Sequence, residues 1–344
     1  MSRFPTGISC NHRSLFNTIE RDTRMTLTSF LRPKHHGPFT FAVLSIALGM
    51  PVAAQTHPAP NAPPLAYRPV ENWAKLPDGL NLGECSGVAV DKSDNVWVFN
   101  RGSHPVIEFD RNGKMLQAWN DVPVKSSHGI RVDPDGNIWL IDVAGHKVLK
   151  MSPSGHVLTV ISAVGGAAGD QNSKYAFNRP TNVGFAQDGS FFITDGYGNS
   201  RVAKYTKDGE YITQWGSKGT GDSQFNIVHD IAIDAAGRLY VADRENDRIQ
   251  IFDQSGKFLG KWSNLGAAWG LVYVPRENAF FLSDGANDQI IKLDANGKIL
   301  GKLGSHGKSP GKLYYPHSLA VDSTGALYVA EILNWRVQKF VPAE

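Results

Sequence analysis

The sequence predicts an all-β fold, a six-bladed β-propeller closed by a strand from its N-terminal side. One observation is repetition. The phrase SGVAVDKSDNVWVFN at Ser86 returns as HGIRVDPDGNIWLID at His128, TNVGFAQDGSFFITD at Thr181, HDIAIDAAGRLYVAD at His229, WGLVYVPRENAFFLSD at Trp269 and HSLAVDSTGALYVAE at His317, at spacings of 40 to 53 residues. A period of this size marks β units that each need neighbours to bury their faces, and six such units close a ring. The second observation lies within each copy. Across residues 226–262, the runs HDIAID, RLYVAD, RIQIFD and FLGKW alternate apolar with polar residues and are parted by Gly, Asp and Asn. Period 2 with such turns is the pattern of a four-stranded antiparallel meander.

The N-terminal region stands outside this scheme. Basic residues run from Arg3 to Lys34, residues 39–50 (FTFAVLSIALGM) are apolar, and small residues precede Gln55. That order predicts a secretory signal peptide over residues 1–54, cut after Ala54, with Met25 as an alternative start giving a leader of ordinary length. The apolar run is too short for a membrane span. A secreted or periplasmic protein with no membrane attachment after leader removal is the expectation. Residues 55–66 are rich in Pro and Ala and read as an extended, solvated linker. The propeller takes residues 67–344. Trp73 stands as Trp215 and Trp262 do near the ends of outermost strands, and the last copy has no such strand, so residues 70–76 are expected to supply it and leave no open edge.

Composition excludes some functions. The net charge is +3, and several positive residues belong to the leader, so a nucleic-acid partner has no support. Cys10 and Cys85 are the two cysteines, and Cys10 lies in the leader. No intramolecular disulfide is expected, and Cys85 reads as a small buried apolar side chain.

One slot at the start of each innermost strand holds, in order, Ser86, His128, Thr181, His229, Trp269 and His317. Histidine fills every second one, although it is 11 of 344 residues. Innermost strands line the axis of a propeller, so alternate blades aim three imidazoles at one point. Three neutral imidazoles with a fourth position open is the arrangement of catalytic zinc. Iron, copper and nickel also accept imidazole, which makes zinc a preference. Such a centre polarises a substrate oxygen or acidifies a bound hydroxyl.

The loops after the second strands surround the same end of the axis: NRGSH, DVAGH, DGYGNSR, DRENDR, DGAND and EILNWR. Arg101, Tyr197 and Arg244 stand out there, because the matching slots hold Val143, Gly285 and Ile332. A guanidinium suits a carboxylate or a developing oxyanion. A phenol beside a cation gives up its proton more readily than one in water. Arg201, Arg248 and Arg336 recur at one position and read as partners of loop acids. His104 and His146 read as solvated loop residues, His156 and His306 as turn residues. Asp133, Asp234 and Asp322 open turns and cap backbone N–H groups.

The repeated phrase resembles the NHL repeat, and the blocks together resemble the peptidyl-α-hydroxyglycine α-amidating lyases, six-bladed propellers of NHL type. The residues that carry this are SGVAVD with Arg101 in NRGSH, SHGIRVD around His128, DGYGNSR with TQWG, VADRENDRIQIF and YPHSLAVD around His317. The resemblance implies zinc on His128, His229 and His317, with Tyr197 and Arg101 as active-site residues and Arg244 as a further pocket arginine. It implies cleavage of the C–N bond of a peptidyl- or N-acyl-α-hydroxyglycine to an amide and glyoxylate, by a monomer acting on a small molecule or peptide with a terminal carboxylate. The chain departs from that family at several points. Arg179 and Gly198 stand where the animal enzymes have a disulfide, and Tyr315 replaces a methionine. Ser318 replaces an acidic residue of a structural calcium site, while Asp230 follows His229. Carbonyls of Val88 and Ile130 remain as donors, so calcium stays open. The other readings are a propeller hydrolase or lactonase, whose sites use Asp, Glu and Asn around calcium, and a non-catalytic NHL propeller that binds a protein or ligand on its rim.

Overall fold

The computed structural model describes residues 57–343, and the expected leader lies outside the described residues. Six four-stranded antiparallel sheets follow one another along the chain, as the six phrases require. The innermost strands are Cys85–Val90, Ser127–Val132, Asn182–Phe185, Val228–Ile233, Ala268–Val274 and Pro316–Val321. The second strands, Val96–Asn100, Ile138–Asp142, Phe191–Asp195, Leu239–Asp243, Ala279–Asp284 and Leu327–Glu331, are buried throughout.

Because a blade is buried on both faces, each interface between neighbours has its own apolar core. Between blades four and five, for example, Ala232, Tyr240 and Ile249 meet Leu271, Phe280 and Leu293. The rings of Tyr240 and Phe280 lie 4.4 Å apart, a contact between large side chains that each contribute about 1.5–3 kcal/mol on burial.

The ring closes between the first and last parts of the chain. Strand Tyr67–Val70 pairs antiparallel with Arg336–Pro342, from Tyr67 opposite Pro342 to Val70 opposite Lys339. The closing strand therefore ends where the sequence pattern places its start. Trp73 lies just past it, in the wedge between blades six and one, 5.3 Å from Phe109 and 5.1 Å from Tyr328. Its indole N–H donates to the carbonyl of Arg111 at 3.0 Å, after the chain has turned at Glu71 and Asn72.

The Pro/Ala-rich segment is extended but docked rather than free. Leu65 N–H donates to Lys302 O at 2.8 Å, and Lys302 N–H donates to Pro63 O at 2.8 Å, against the outermost strand of blade five. His57 reaches the rim, with Nδ1 2.5 Å from Asp247 Oδ1. These bonds are largely made by main-chain atoms, which composition does not disclose.

Candidate metal centre

The slot residue of almost every blade sits at a break in the strand register. The shifts fall between Cys85 and Gly87, Ser127 and Ile130, Val228 and Asp230, Ala268 and Gly270, and Pro316 and Ser318. An extra residue at such a bulge leaves the alternation and its side chain is re-aimed. Three of the residues at these breaks are the histidines, and their ligand atoms are brought together.

His128, His229 and His317 converge, with ligand atoms all within 4.8 Å of one another. Every one of those atoms then lies within about 3 Å of a shared centre, close to the bonds of about 2.0–2.1 Å that zinc forms with imidazole nitrogen. Each ring is locked by a bond to the slot carbonyl of the next blade. His128 Nδ1 is 2.7 Å from Thr181 O, His229 Nδ1 is 2.7 Å from Trp269 O, and His317 Nδ1 is 2.6 Å from Ser86 O. A carbonyl can only accept, so Nδ1 carries the proton and Nε2 keeps its lone pair for the axis. Burial is the first cause that holds all three rings below the ordinary histidine range. His317 is brought down to about 3, with Arg101 and Arg244 adding to the effect. His128 and His229 are lowered by burial, by the neighbouring imidazoles and by Arg244. Neutral, oriented imidazoles are what a metal ion requires, and the donor set fits zinc.

The residues singled out in the second-strand loops share one backbone anchor. The N–H of Arg101, Val143, Tyr197, Arg244 and Ile332 donates to the carbonyl two residues before the slot of the same blade, on Glu84, Ser126, Arg179, Ile227 and Tyr315 respectively. Buried strand-end acids fix the same loops. Asp142 accepts from Lys125 and Ser126 N–H, Asp195 from Asn178 N–H, Asp243 from Asn226 N–H and Glu331 from Tyr314 N–H. Arg201, Arg248 and Arg336 pair with Asp195, Asp243 and Glu331 at 2.9, 2.7 and 2.7 Å, the structural role their recurrence predicts.

On that common frame Tyr197 stands over the triad. Its hydroxyl is 3.3 Å from His128 Nε2 and 3.1 Å from His229 Nε2, and it accepts from Arg244 Nη1 at 3.2 Å. Arg244 lies over the rings of Tyr197 and Trp269, 5.3 and 4.7 Å from their centres, and Glu245 holds its Nε at 2.7 Å. Arg101 is farther out on the rim. It is tied to Glu84 at 2.6 Å and directed over the carbonyl of Ser127.

Sequence reasoning missed three contributors. Arg179 lies 4.9 Å from the centre of the Tyr197 ring, on a backbone with φ near 60°. His146, read as solvated, is the acceptor for Arg179 N–H at 3.0 Å. Trp269, the slot residue of blade five, packs 5.5 Å from both His229 and His317. Cys85 is buried, and burial pushes its thiol up, in keeping with an inert side chain.

The layer beneath the histidines does not suit calcium. Asp230 Oδ1 and Oδ2 accept from Arg131 Nη2 at 2.8 and 2.9 Å. Asn182 Nδ2 and Ile231 N–H also donate to Oδ1, both at 2.7 Å, and Leu271 N–H donates to Oδ2 at 2.8 Å. Burial pushes the Asp230 carboxyl up, and the Arg131 charge opposes this first among the lowering influences. With four donor groups making five hydrogen bonds to its two oxygens, the carboxylate has no free lone pair for a cation.

A six-bladed propeller with an axial histidine triad under an arginine and tyrosine rim is the class these features define. Residues 225–252 match the NHL repeat. The chain belongs to the NHL repeat family: it is 33% identical over 295 residues to human NHL repeat-containing protein 3, covering 81% of this chain and 85% of that one. It is also 32% identical over 109 residues to peptidyl-alpha-hydroxyglycine alpha-amidating lyase 1 of Drosophila melanogaster, covering 29% of this chain and 20% of that protein. Among solved structures, a streptogramin B lyase shares the fold with a TM-score of 0.59, at 12% identity over 80% of this chain and 96% of that one.

Proposed function

We propose that this propeller is a zinc-dependent lyase that cleaves the C–N bond of a peptidyl- or N-acyl-α-hydroxyglycine, giving an amide and glyoxylate. The observation that carries the reading is the Tyr197 hydroxyl, held by Arg244 within hydrogen-bond reach of two imidazole nitrogens of the triad. The local similarity to a lyase of that reaction supports it. Zinc bound by His128, His229 and His317 would polarise the carbinol oxygen of the substrate.

The remaining steps belong to the chain. Tyr197 Oη, acting as the phenolate, takes the proton of the carbinol hydroxyl and becomes the phenol. The C–O bond gains double-bond character as the C–N bond breaks, and the electron pair leaves with the amide nitrogen. Tyr197 then passes that same proton to the nitrogen, so the phenolate is regenerated. Arg101 and Arg244, whose charges both reach the triad, suit the terminal carboxylate and the charge on the departing group. Asn182 donates to Asp230, and Asp230 is paired with Arg131, so this carboxylate is not free for the calcium chemistry of a lactonase.

The test is release of glyoxylate from synthetic α-hydroxyhippurate by the zinc-loaded full chain. Tyr197→Phe should lower the rate by about 10²–10⁴-fold with metal content unchanged. Zinc-loaded protein that releases no glyoxylate would overturn the proposal. Hydrolysis of lactones in its place would assign the hydrolase reading, and absence of both reactions together with any bound metal would assign the binding scaffold.

A further inference from the structure

Beside the chamber of the histidines, the buried carboxylate of Asp230 is met by an arginine side chain. Arg131 extends from the innermost strand of blade two and bonds to Asp230 of blade four. Its Nη1 donates to the carbonyl of Ile130 at 3.1 Å, and Nη2 points at the carbonyl of Leu271, of blade five, at 3.5 Å. Asn182 of blade three completes the set through Asp230. A carboxylate with two main-chain carbonyls is a hard oxygen set, the kind that takes Ca²⁺ together with water. The guanidinium meets all of it and brings the positive charge with it.

The surroundings give that charge a reason. Asp230 borders the small chamber that also touches His128, His229 and His317. Arg131 borders a separate, wider funnel at the opposite mouth, among Val132, Phe185, Ile233 and Tyr273. The ion pair is the floor between the two. An unpaired buried carboxylate at that floor would be strongly unfavourable, so some cation is needed there.

We propose that Arg131 is a built-in cation that replaces a divalent ion on the propeller axis, so the chain closes its axial channel without calcium and acquires a calcium site when Arg131 is removed. The inference is independent of the reaction assigned to the metal centre above it.

The experiment compares the zinc-loaded full chain with its Arg131→Ser variant, using calcium chloride as probe and magnesium chloride as control. The natural chain should bind no calcium in equilibrium dialysis and keep its Tm as calcium is raised. R131S should take up about one calcium per chain with a Kd below about 1 mM. Calcium, and not magnesium, should raise its Tm by at least about 3 °C. Arg131→Ser combined with Asp230→Asn should lose that response, while zinc content stays the same in all three. Should R131S fail to fold alone, recovery of folded protein on refolding with calcium is the expected result. Calcium bound stoichiometrically by the natural chain would overturn the proposal, and so would an R131S chain that calcium neither binds nor rescues.

Discussion

The Nδ1 atom of His317 lies 2.6 Å from the carbonyl oxygen of Ser86, a residue 231 positions earlier in the chain. This bond joins the last blade to the first at the axis, and it is the third of three equivalent bonds. Each metal-binding candidate is thus oriented by its neighbour's backbone, and the geometry of the triad depends on the ring being closed. An alanine at one position leaves the other two rings held as before. His229→Ala should keep the fold, checked by circular dichroism. It should lower zinc affinity by more than about 100-fold, since loss of a ligand exceeds the 10–100-fold cost of losing an outer partner. Zinc retained at full stoichiometry would exclude the triad as the metal centre.

Arg101 and Arg244 should separate in kinetics with α-hydroxyhippurate. Arg101 is anchored at the rim by Glu84 and touches neither Tyr197 nor an imidazole. Arg101→Ala should act mainly on KM, raising it about 10-fold or more, in line with about 1.5–3 kcal/mol for a hydrogen bond to a charged group. Arg244 bonds to the Tyr197 hydroxyl and stacks on Trp269, so Arg244→Ala should lower kcat as well. Equal effects of both changes on KM alone would remove Arg244 from the proton-transfer machinery.

Several of these residues were legible in the sequence for one reason. The slot and loop positions recur in every blade, so a residue that differs from its equivalents, such as Arg101 or Tyr197, is visible against the pattern. Arg131 was hidden because its partner is 99 residues away, and alternation along one strand says nothing of a contact across the channel. Arg179 was hidden because its contact with Tyr197 depends on a left-handed backbone that favours no arginine. The start of the closing strand was misplaced because Trp73 was matched to tryptophans within strands, whereas its ring fills the same wedge from a bend.

Acid should weaken the metal-free protein through the triad. Above about pH 6.5 the three imidazoles are neutral whether the chain is folded or unfolded, and they contribute nothing to the pH dependence. Below it the unfolded chain takes up protons that the folded chain refuses until its own lowered values are reached, about 3 for His317. Stability therefore falls with pH across that window. Chelator-stripped protein should lose Tm between about pH 7 and about pH 5, and replacing all three histidines by alanine should flatten that slope. A slope of the same size in the triple variant would place its origin elsewhere.

The strand that closes the ring should be separable from the segment before it. Tyr67–Val70 covers the outer edge of Arg336–Pro342, and Tyr67 packs edge-on to Phe281 at 6.0 Å. A chain beginning at residue 67 loses the docked Pro/Ala segment and its bonds to Lys302, but keeps every pair of the closing strand. A chain beginning at residue 71 uncovers the edge of residues 339–342, which offers unpaired N–H and C=O groups to another molecule. The first truncation should keep the association state of the full chain, with a small loss of Tm. The second should lose about 3 kcal/mol or more, from the side chains of Tyr67 and Val70 and the last rung of blade six, and should self-associate as concentration rises. Size-exclusion chromatography with light scattering distinguishes them, because association by both chains, or by neither, would mean that strand pairing at residues 67–70 is not what seals the propeller.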